Sequence, residues 1–167
     1  MDSEEILIRK AEVSDSSEIV KIWQLICEER MYDGVDHPFT LEQEKDYISS
    51  LTERESIFVA IVENAIIGFQ SLELWANYSK SFDHVATIGT FVLPEWREMG
   101  VGILLANYAM DFARENGFEK VIVYVRLSNK KAQKFYEKLG FVSRGTLLKQ
   151  LKINGEYDDE MFMEMFL

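Results

Sequence analysis

Residues 85–108 read VATIGTFVLPEWREMGVGILLANY and combine a strand-forming run, a turn and the start of a helical pattern. The first part is rich in β-branched and aromatic residues, which favour strands. Gly100 and Gly102 then lack the β-carbons that would keep a ligand away from the backbone. Because the first N–H groups of a helix are unpaired and carry the positive end of the helix dipole, this layout is typical of a phosphate site.

Two common phosphate motifs are excluded at this turn. Leu105 stands where a dinucleotide-binding G-x-G-x-x-G motif needs its third glycine, and no Gly-Lys-Ser or Gly-Lys-Thr follows, as a P-loop requires. The two glycines are also compatible with a simple break between a strand and a helix. The function of the turn therefore depends on the rest of the chain.

Composition limits the class of protein. A length of 167 residues with 47% hydrophobic residues predicts one domain over residues 1–167. The net charge of −11 argues against nucleic acid as a partner and favours a cationic substrate. The single cysteine, Cys27, excludes a disulfide framework and a cysteine-based metal cluster, and we expect no metal.

The N-terminal residues and the lengths of the apolar runs bear on localisation. Asp2, Glu4 and Glu5 stand where a signal peptide would be basic, and no apolar run reaches the length of a membrane span. We therefore expect a cytoplasmic protein that does not interact with membranes.

The hydrophobic pattern predicts an alternation of strands and helices. Strand patterns cover residues 6–11, 56–62, 65–75, 84–93, 120–125, 141–153 and 157–167. Four helical patterns are present. The first is capped by Asp15 and Glu18, and the second by Thr40 and Gln43. The third follows Gly102 and ends at Gly117, and the fourth covers residues 128–139. The second helix is expected to bury Leu41, Tyr47, Ile48 and Leu51, and the third Leu104, Leu105, Tyr108 and Phe112.

The connections between these elements predict the topology. Glu63-Asn64 and Asn154-Gly155 are sequences typical of tight hairpin turns. The second, third and fourth strands should form an antiparallel meander. The fourth strand, the third helix and the fifth strand should form a right-handed βαβ crossover.

Two motifs in this order resemble those of the GNAT superfamily of N-acetyltransferases, and the likeness covers nearly the whole chain. Residues 92–102 match the Arg/Gln-x-x-Gly-x-Gly/Ala loop that holds the pyrophosphate of acetyl-coenzyme A. Asn129, Ala132 and residues 135–141 match the signature of the fourth helix. The resemblance implies an α/β (α+β) fold with a mostly antiparallel sheet of about seven strands, about four flanking helices, and fourth and fifth strands that splay apart around the coenzyme.

The resemblance also implies which residues bind coenzyme A. Phe91 and Val92 would supply the strand contacts, although both also suit an ordinary core. The loop would hold the pyrophosphate through Arg97, Glu98, Met99, Gly100, Val101 and Gly102. Asn129 would contact the coenzyme or cap its helix. Many relatives carry Gly and Lys where this chain has Glu98 and Met99, so we expect weaker coenzyme binding.

The chemistry of acetyl transfer points to an acid and a base. Tyr136 matches the family's usual acid, and a phenol, with a pKa of about 10, can protonate a thiolate whose thiol has a pKa of about 8.5. Without the motif, Tyr136 would be interpreted as core packing. Glu73 is a charge within an apolar strand and a candidate base, or else a strand residue that faces outward.

The acceptor site is the least patterned part of the sequence. His37 and His84 are candidates for the acceptor pocket, and Glu28, Glu29 and Asp33 are candidates for attracting a cationic amine there. Each is also an ordinary surface residue type in its context.

Together these features predict an acetyl-CoA-dependent N-acetyltransferase that acts by direct transfer to a small primary amine, such as an amino acid or a polyamine. Acetylation of a protein N-terminus or lysine, a non-catalytic coenzyme A-binding module and a structural protein remain as alternatives. The resemblance suggests a homodimer, which the apolar tail over 161–167 could help to form.

Overall fold

Seven strands and four α-helices alternate along the chain in a computed structural model that describes residues 5–29 and 34–167. The strands are β1 Leu7–Lys10, β2 Ser56–Val62, β3 Ala65–Leu74, β4 Val85–Val92, β5 Lys120–Arg126, β6 Val142–Ile153 and β7 Glu156–Phe166. The helices are α1 Ser16–Glu29, α2 Leu41–Ser50, α3 Val101–Glu115 and α4 Lys130–Leu139. This is the mixed α/β fold that the resemblance implies.

The strands form one sheet in the order β1-β2-β3-β4-β5-β7-β6. Within the described part of the chain only β4 and β5 pair in parallel, as the βαβ prediction requires, and their pairing runs from Val85–Lys120 to Thr87–Ile122. Beyond Thr87 the two strands diverge, so the second half of β4 has a free edge on that side. The predicted splay is confirmed.

Both predicted hairpin turns are confirmed. Glu63 and Asn64 have φ angles of 47° and 69°, and Asn154 and Gly155 have φ angles of 52° and 83°. Positive φ at both central residues produces the turn that suits the twist of two antiparallel strands. The second hairpin inserts β7 between β5 and β6.

The two predicted helix caps have different outcomes. Thr40 and Gln43 form a reciprocal capping box at the start of α2, as predicted. Asp15 and Glu18 do not pair in this way. Asp15 accepts a hydrogen bond from the Glu12 N–H and binds Arg9, and Glu18 accepts from the N–H of Ile66. Asp15 thus belongs to a capping box with Glu12 one turn earlier, and Arg9 and Ile66 of the neighbouring strands supply the other partners.

Two apolar cores lie on the two faces of the sheet. Under α3 and α4, the largest buried side chains include Phe58, Leu72, Leu105 and Met163. Under α1 and α2, the core consists of Ile19, Ile22, Trp23, Ile26, Ile57, Val59, Ile66 and Phe69.

The apolar faces predicted for α3 and α2 are partly wrong. In α3, Leu104 and Tyr108 are each 43% exposed, whereas Ala106 and Ala109 are fully buried. The small alanines let α3 lie close to the sheet, which rotates the larger side chains outward. In α2, Leu41 is exposed and Glu44 is buried instead.

Candidate active site

A cavity of about 690 Å³ lies on the α1 and α2 face of the sheet and extends to the second half of β4. Its lining residues come from α1, α2, the segment between them, β2 to β5, and β7. β4 contributes Thr87, Ile88, Gly89 and Phe91 to the lining, and three of them, Thr87, Gly89 and Phe91, lie at alternate positions on one face of the strand. The cavity therefore borders the free edge of β4.

Aromatic rings form one wall of this cavity. The Trp23 ring lies 4.4 Å from that of Phe91, 5.5 Å from that of Phe69 and 5.2 Å from that of Phe39, measured between centroids. Phe91, which we predicted to contact the coenzyme, thus has its side chain in the cavity wall. A backbone contact between Phe91 and the coenzyme remains a prediction.

Two carboxyl groups from different elements meet in the cavity. Glu73 of β3 accepts a hydrogen bond from the hydroxyl of Tyr47 on α2. Glu44 lies one turn before Tyr47 and also lines the cavity, with only 2% of its surface exposed. Its Oε1 has no hydrogen-bond partner within the described part of the chain.

Burial shifts the titration of these groups. Burial and then the nearby charge of Glu73 raise the pKa of Glu44 from 4.5 to about 7. Burial raises the pKa of Glu73, against the opposing effect of its hydrogen bond from Tyr47, and Glu55 raises it further. Burial and then the charge of Glu73 raise the pKa of Tyr47. A carboxylate of raised basicity in a cavity suits proton abstraction.

Tyr136 lies on the opposite face of β4. It is buried on α4, and its hydroxyl is 3.2 Å from Oγ1 of Thr90, which donates to Oε1 of the buried Gln70 at 3.3 Å. Thr90 stands between the cavity residues Gly89 and Phe91, so its side chain points away from the cavity. Tyr136 and Glu73 therefore flank β4 from its two faces.

The glycine turn leaves the start of α3 without a side-chain cap. Gly100 is the N-cap residue, with a φ of 87°, and no described side chain caps it. A β-carbon at Gly102 would lie only 3.0 and 3.2 Å from two atoms of the Phe135 ring. Gly102 thus permits close packing against α4, and the first amides of α3 can hold an anion.

The charged residues around this turn have protein partners. Arg97 forms two hydrogen bonds of 2.6 Å with Glu29, and its Nε donates to the carbonyl of Val92 at 2.9 Å. The side chain of Glu98 is 81% exposed and lies 3.9 Å from the ammonium of Lys131. Two further residues were predicted to bind the coenzyme. Met99 is 61% exposed. The Asn129 side chain caps α4 by accepting a hydrogen bond from the N–H of Ala132.

The predicted acceptor residues do not line the cavity. Glu28 and His84 are exposed, and His37 is exposed and bound to Asp36. The residue of α1 that lines the cavity is Trp23. His84 precedes the half of β4 that pairs with β5 and therefore lies away from the free edge of β4. Asp33 lies outside the described residues.

Glu44 is the residue of this cavity that the sequence interpretation missed. It lies three residues after Leu41 and three before Tyr47, which were both assigned to the inner face of α2. The sequence therefore did contain a signal for Glu44, because it is a charged residue on a helix face that was predicted to be buried. No group of three or more potential metal-binding residues occurs within 5–29 and 34–167, and no helix in those ranges is long and apolar enough to cross a membrane.

Comparison with known proteins agrees with this geometry. The sequence profile of the Acetyltransferase (GNAT) family matches residues 19–141. The chain therefore belongs to the GNAT family, and it is an N-acetyltransferase.

Individual relatives cover most of the chain. It is 28% identical to the L-amino acid N-acetyltransferase of Escherichia coli over 166 residues, which is 95% of this chain and 96% of that protein. It is 31% identical to an N-alpha-acetyltransferase of Sulfurisphaera tokodaii, over 82% of this chain and 80% of that one. A solved phosphinothricin acetyltransferase of Sinorhizobium meliloti, in complex with acetyl-CoA, shares the fold with a TM-score of 0.90 at 20% identity, over 97% of this chain and 88% of that one.

Proposed function

We propose that this enzyme transfers the acetyl group of acetyl-coenzyme A directly to the amine of a small molecule held in the cavity. One observation carries the proposal: a free strand edge lies between Tyr136 on one face and a cavity containing Glu73 on the other. A thioester beside this edge would be accessible to both side chains.

The glycine turn is the proposed site of the coenzyme's pyrophosphate. The bare N-cap at Gly100 fits an anion held by backbone amides of residues 98–102. Family membership and the acetyl-CoA complex of the Sinorhizobium meliloti relative support this choice of ligand. Phe91, Val92 and Asn129 would contact the remainder of the coenzyme.

Glu73 and Tyr136 divide the proton transfers between them. Acetyl-CoA supplies the thioester carbonyl that the amine attacks and the thiolate that leaves. Glu73 would take the proton of the incoming ammonium, directly or through water, so that the nitrogen lone pair can form the new C–N bond. Tyr136 would protonate the sulfur as the C–S bond breaks, and the second proton that the nitrogen loses on becoming an amide would return through water to the Tyr136 oxygen. The products are an amide and free coenzyme A.

Direct transfer is favoured over a cysteinyl intermediate. Cys27 is buried on α1, and its thiol contacts the carbonyl of Val35 at 3.7 Å. It is absent from the residues that line the cavity. A buried thiol of this kind behaves as a small apolar residue.

The dimensions of the cavity favour a small acceptor. Its volume of about 690 Å³ falls within the range of small-molecule sites. The named activity of the Escherichia coli relative, on L-amino acids, supports this class. The Sulfurisphaera tokodaii relative is named for N-alpha acetylation, so acetylation of a protein N-terminus is the second candidate.

Release of the free thiol of coenzyme A tests the proposal. The purified enzyme is mixed with acetyl-CoA and either small primary amines or peptides, and the thiol is titrated over time. We expect turnover with small amines, abolished in Glu73→Gln and retained in the exposed control Glu119→Gln. Turnover on peptides alone would contradict the small-molecule assignment. Binding of acetyl-CoA without turnover on any amine would indicate a coenzyme-binding module.

A further inference from the structure

We propose that the acceptor is a small diamine, whose second cationic group binds Glu44 while its other nitrogen is acetylated. The inference rests on the proposed function and specifies its substrate class. It assigns to Glu44 a role in substrate specificity.

The first observation is the state of Glu44 itself. Its surface is 98% buried, it lines the cavity, and its Oε1 has no hydrogen-bond partner among the described residues. Buried carboxylate oxygens in folded proteins almost always have a donor, because leaving one unpaired is unfavourable. A donor that arrives with the ligand would complete the site.

Neighbouring side chains have other partners. The hydroxyl of Tyr47, one turn further along α2, donates to Glu73 rather than to Glu44. Gln43 also lines the cavity, but its Oε1 accepts from the N–H of Thr40 in the capping box. Neither side chain donates to Oε1 of Glu44.

The sign of the charge in the cavity selects a cation. Three carboxylate side chains contribute to the lining, from α2, β3 and β7: Glu44, Glu73 and Glu160. A ligand ammonium near Glu44 would relieve the repulsion between the carboxylates of Glu44 and Glu73. A ligand carboxylate at the same place would add to the repulsion. The acceptor's second group should therefore be basic, which distinguishes a diamine from an amino acid.

The remaining walls suit the body of such a ligand. The rings of Trp23, Phe39 and Phe91 lie together along one side of the cavity. Aromatic faces attract cations and also pack against a methylene chain. An apolar spacer between two basic nitrogens matches this combination of rings and carboxylates.

Three acceptors of similar length test the inference: 1,4-diaminobutane, pentylamine and 4-aminobutanoic acid. They end in an ammonium, a methyl and a carboxylate group, respectively. A hydrogen bond to a charged group contributes about 1.5 to 3 kcal/mol, so we expect kcat/KM for the diamine to exceed that for pentylamine by about tenfold or more. The amino acid should be the poorest of the three.

The variant Glu44→Gln assigns the preference to this residue. It should lower kcat/KM for the diamine by about tenfold and change that for pentylamine by less than about twofold. Glu42→Gln, on the exposed side of the same helix, should leave both unchanged. If Glu44→Gln does not fold, the three acceptors with the unmodified enzyme still decide.

Two results would overturn the inference while leaving the proposed function intact. One is equal turnover of the diamine and pentylamine. The other is an equal loss for both acceptors in Glu44→Gln, which would indicate a purely structural role. Absence of turnover with every amine tested would instead contradict the proposed function itself.

Discussion

Arg97 and Glu29 are joined by two hydrogen bonds of 2.6 Å between guanidinium and carboxylate. Arg97 begins the glycine turn, and Glu29 is the last residue of α1, so the pair connects the proposed coenzyme loop to the helix that borders the cavity. Because a carboxylate already neutralises Arg97, the pyrophosphate would depend mainly on backbone amides.

This ion pair should contribute measurably to stability. The side chains of Arg97 and Glu29 are only 28% and 24% exposed. Bidentate pairs of arginine and carboxylate are also stronger than typical surface ion pairs. A double-mutant cycle with Arg97→Gln and Glu29→Gln should give a coupling energy of about 1 kcal/mol in urea unfolding. Additive effects would show that the pair contributes nothing.

Gly100 should matter for coenzyme binding beyond its backbone conformation. Gly100 and Gly117 have φ angles of 87° and 79°, and a β-carbon at either would meet no atom of the described residues within 4 Å. Alanine at either position should therefore lower the free energy of unfolding by a similar amount, about 1 kcal/mol.

Only Gly100→Ala should also weaken the binding of acetyl-CoA, because its β-carbon would project at the anion site. We expect the Kd measured by calorimetry to rise about tenfold. Equal affinity in the Gly100→Ala and Gly117→Ala variants would place the pyrophosphate elsewhere.

Glu44 should make the enzyme less stable as the pH rises. Its pKa is raised from 4.5 to about 7 in the folded state, so between these values the folded protein holds a proton that the unfolded chain has lost. The free energy of unfolding should fall through this range by roughly 2 to 3 kcal/mol relative to Glu44→Gln, which mimics the protonated form.

Denaturant unfolding of both proteins at several pH values measures this difference. Parallel pH profiles would show that Glu44 ionises normally. Glu73, whose pKa is also raised, is present in both proteins, and because its charge acts on Glu44 the difference reports the coupled titration of the two groups.

Much of the fold was predictable because its determinants are local. The turns at Glu63-Asn64 and Asn154-Gly155 need residues that tolerate positive φ, and the sequence supplies them at the right spacing. The cap of α2 likewise depends on residues only three apart. Such features are visible without knowledge of the tertiary structure.

The cavity was less predictable because its residues meet only through packing. Tyr47 of α2 and Glu73 of β3 are 26 positions apart, and no local pattern indicates that they share a hydrogen bond. Phe91 was interpreted as a strand contact for the coenzyme or a core residue, but together with Trp23 it forms the cavity wall. The acceptor candidates Glu28, His37 and His84 are exposed, whereas the carboxyl groups that line the cavity come from α2, β3 and β7.

Tyr136→Phe should impair the chemical step and leave folding nearly intact. Loss of a general acid lowers kcat by about a hundredfold or more. The KM for acetyl-CoA should change little. Loss of the contact with Thr90 should lower the free energy of unfolding by about 1 kcal/mol. Tyr108→Phe, on the exposed side of α3, serves as the control. An unchanged kcat at all pH values would remove Tyr136 from the mechanism.

The most direct test of the central claim is a crystal structure of the enzyme with coenzyme A. Our account predicts the pyrophosphate at the amides of residues 98–102 and the pantetheine between the diverging strands β4 and β5. The sulfur should lie within about 3.5 Å of the hydroxyl of Tyr136, with the cavity of Glu73 opening toward it. A coenzyme bound away from the free edge of β4, or a sulfur remote from both side chains, would contradict the account.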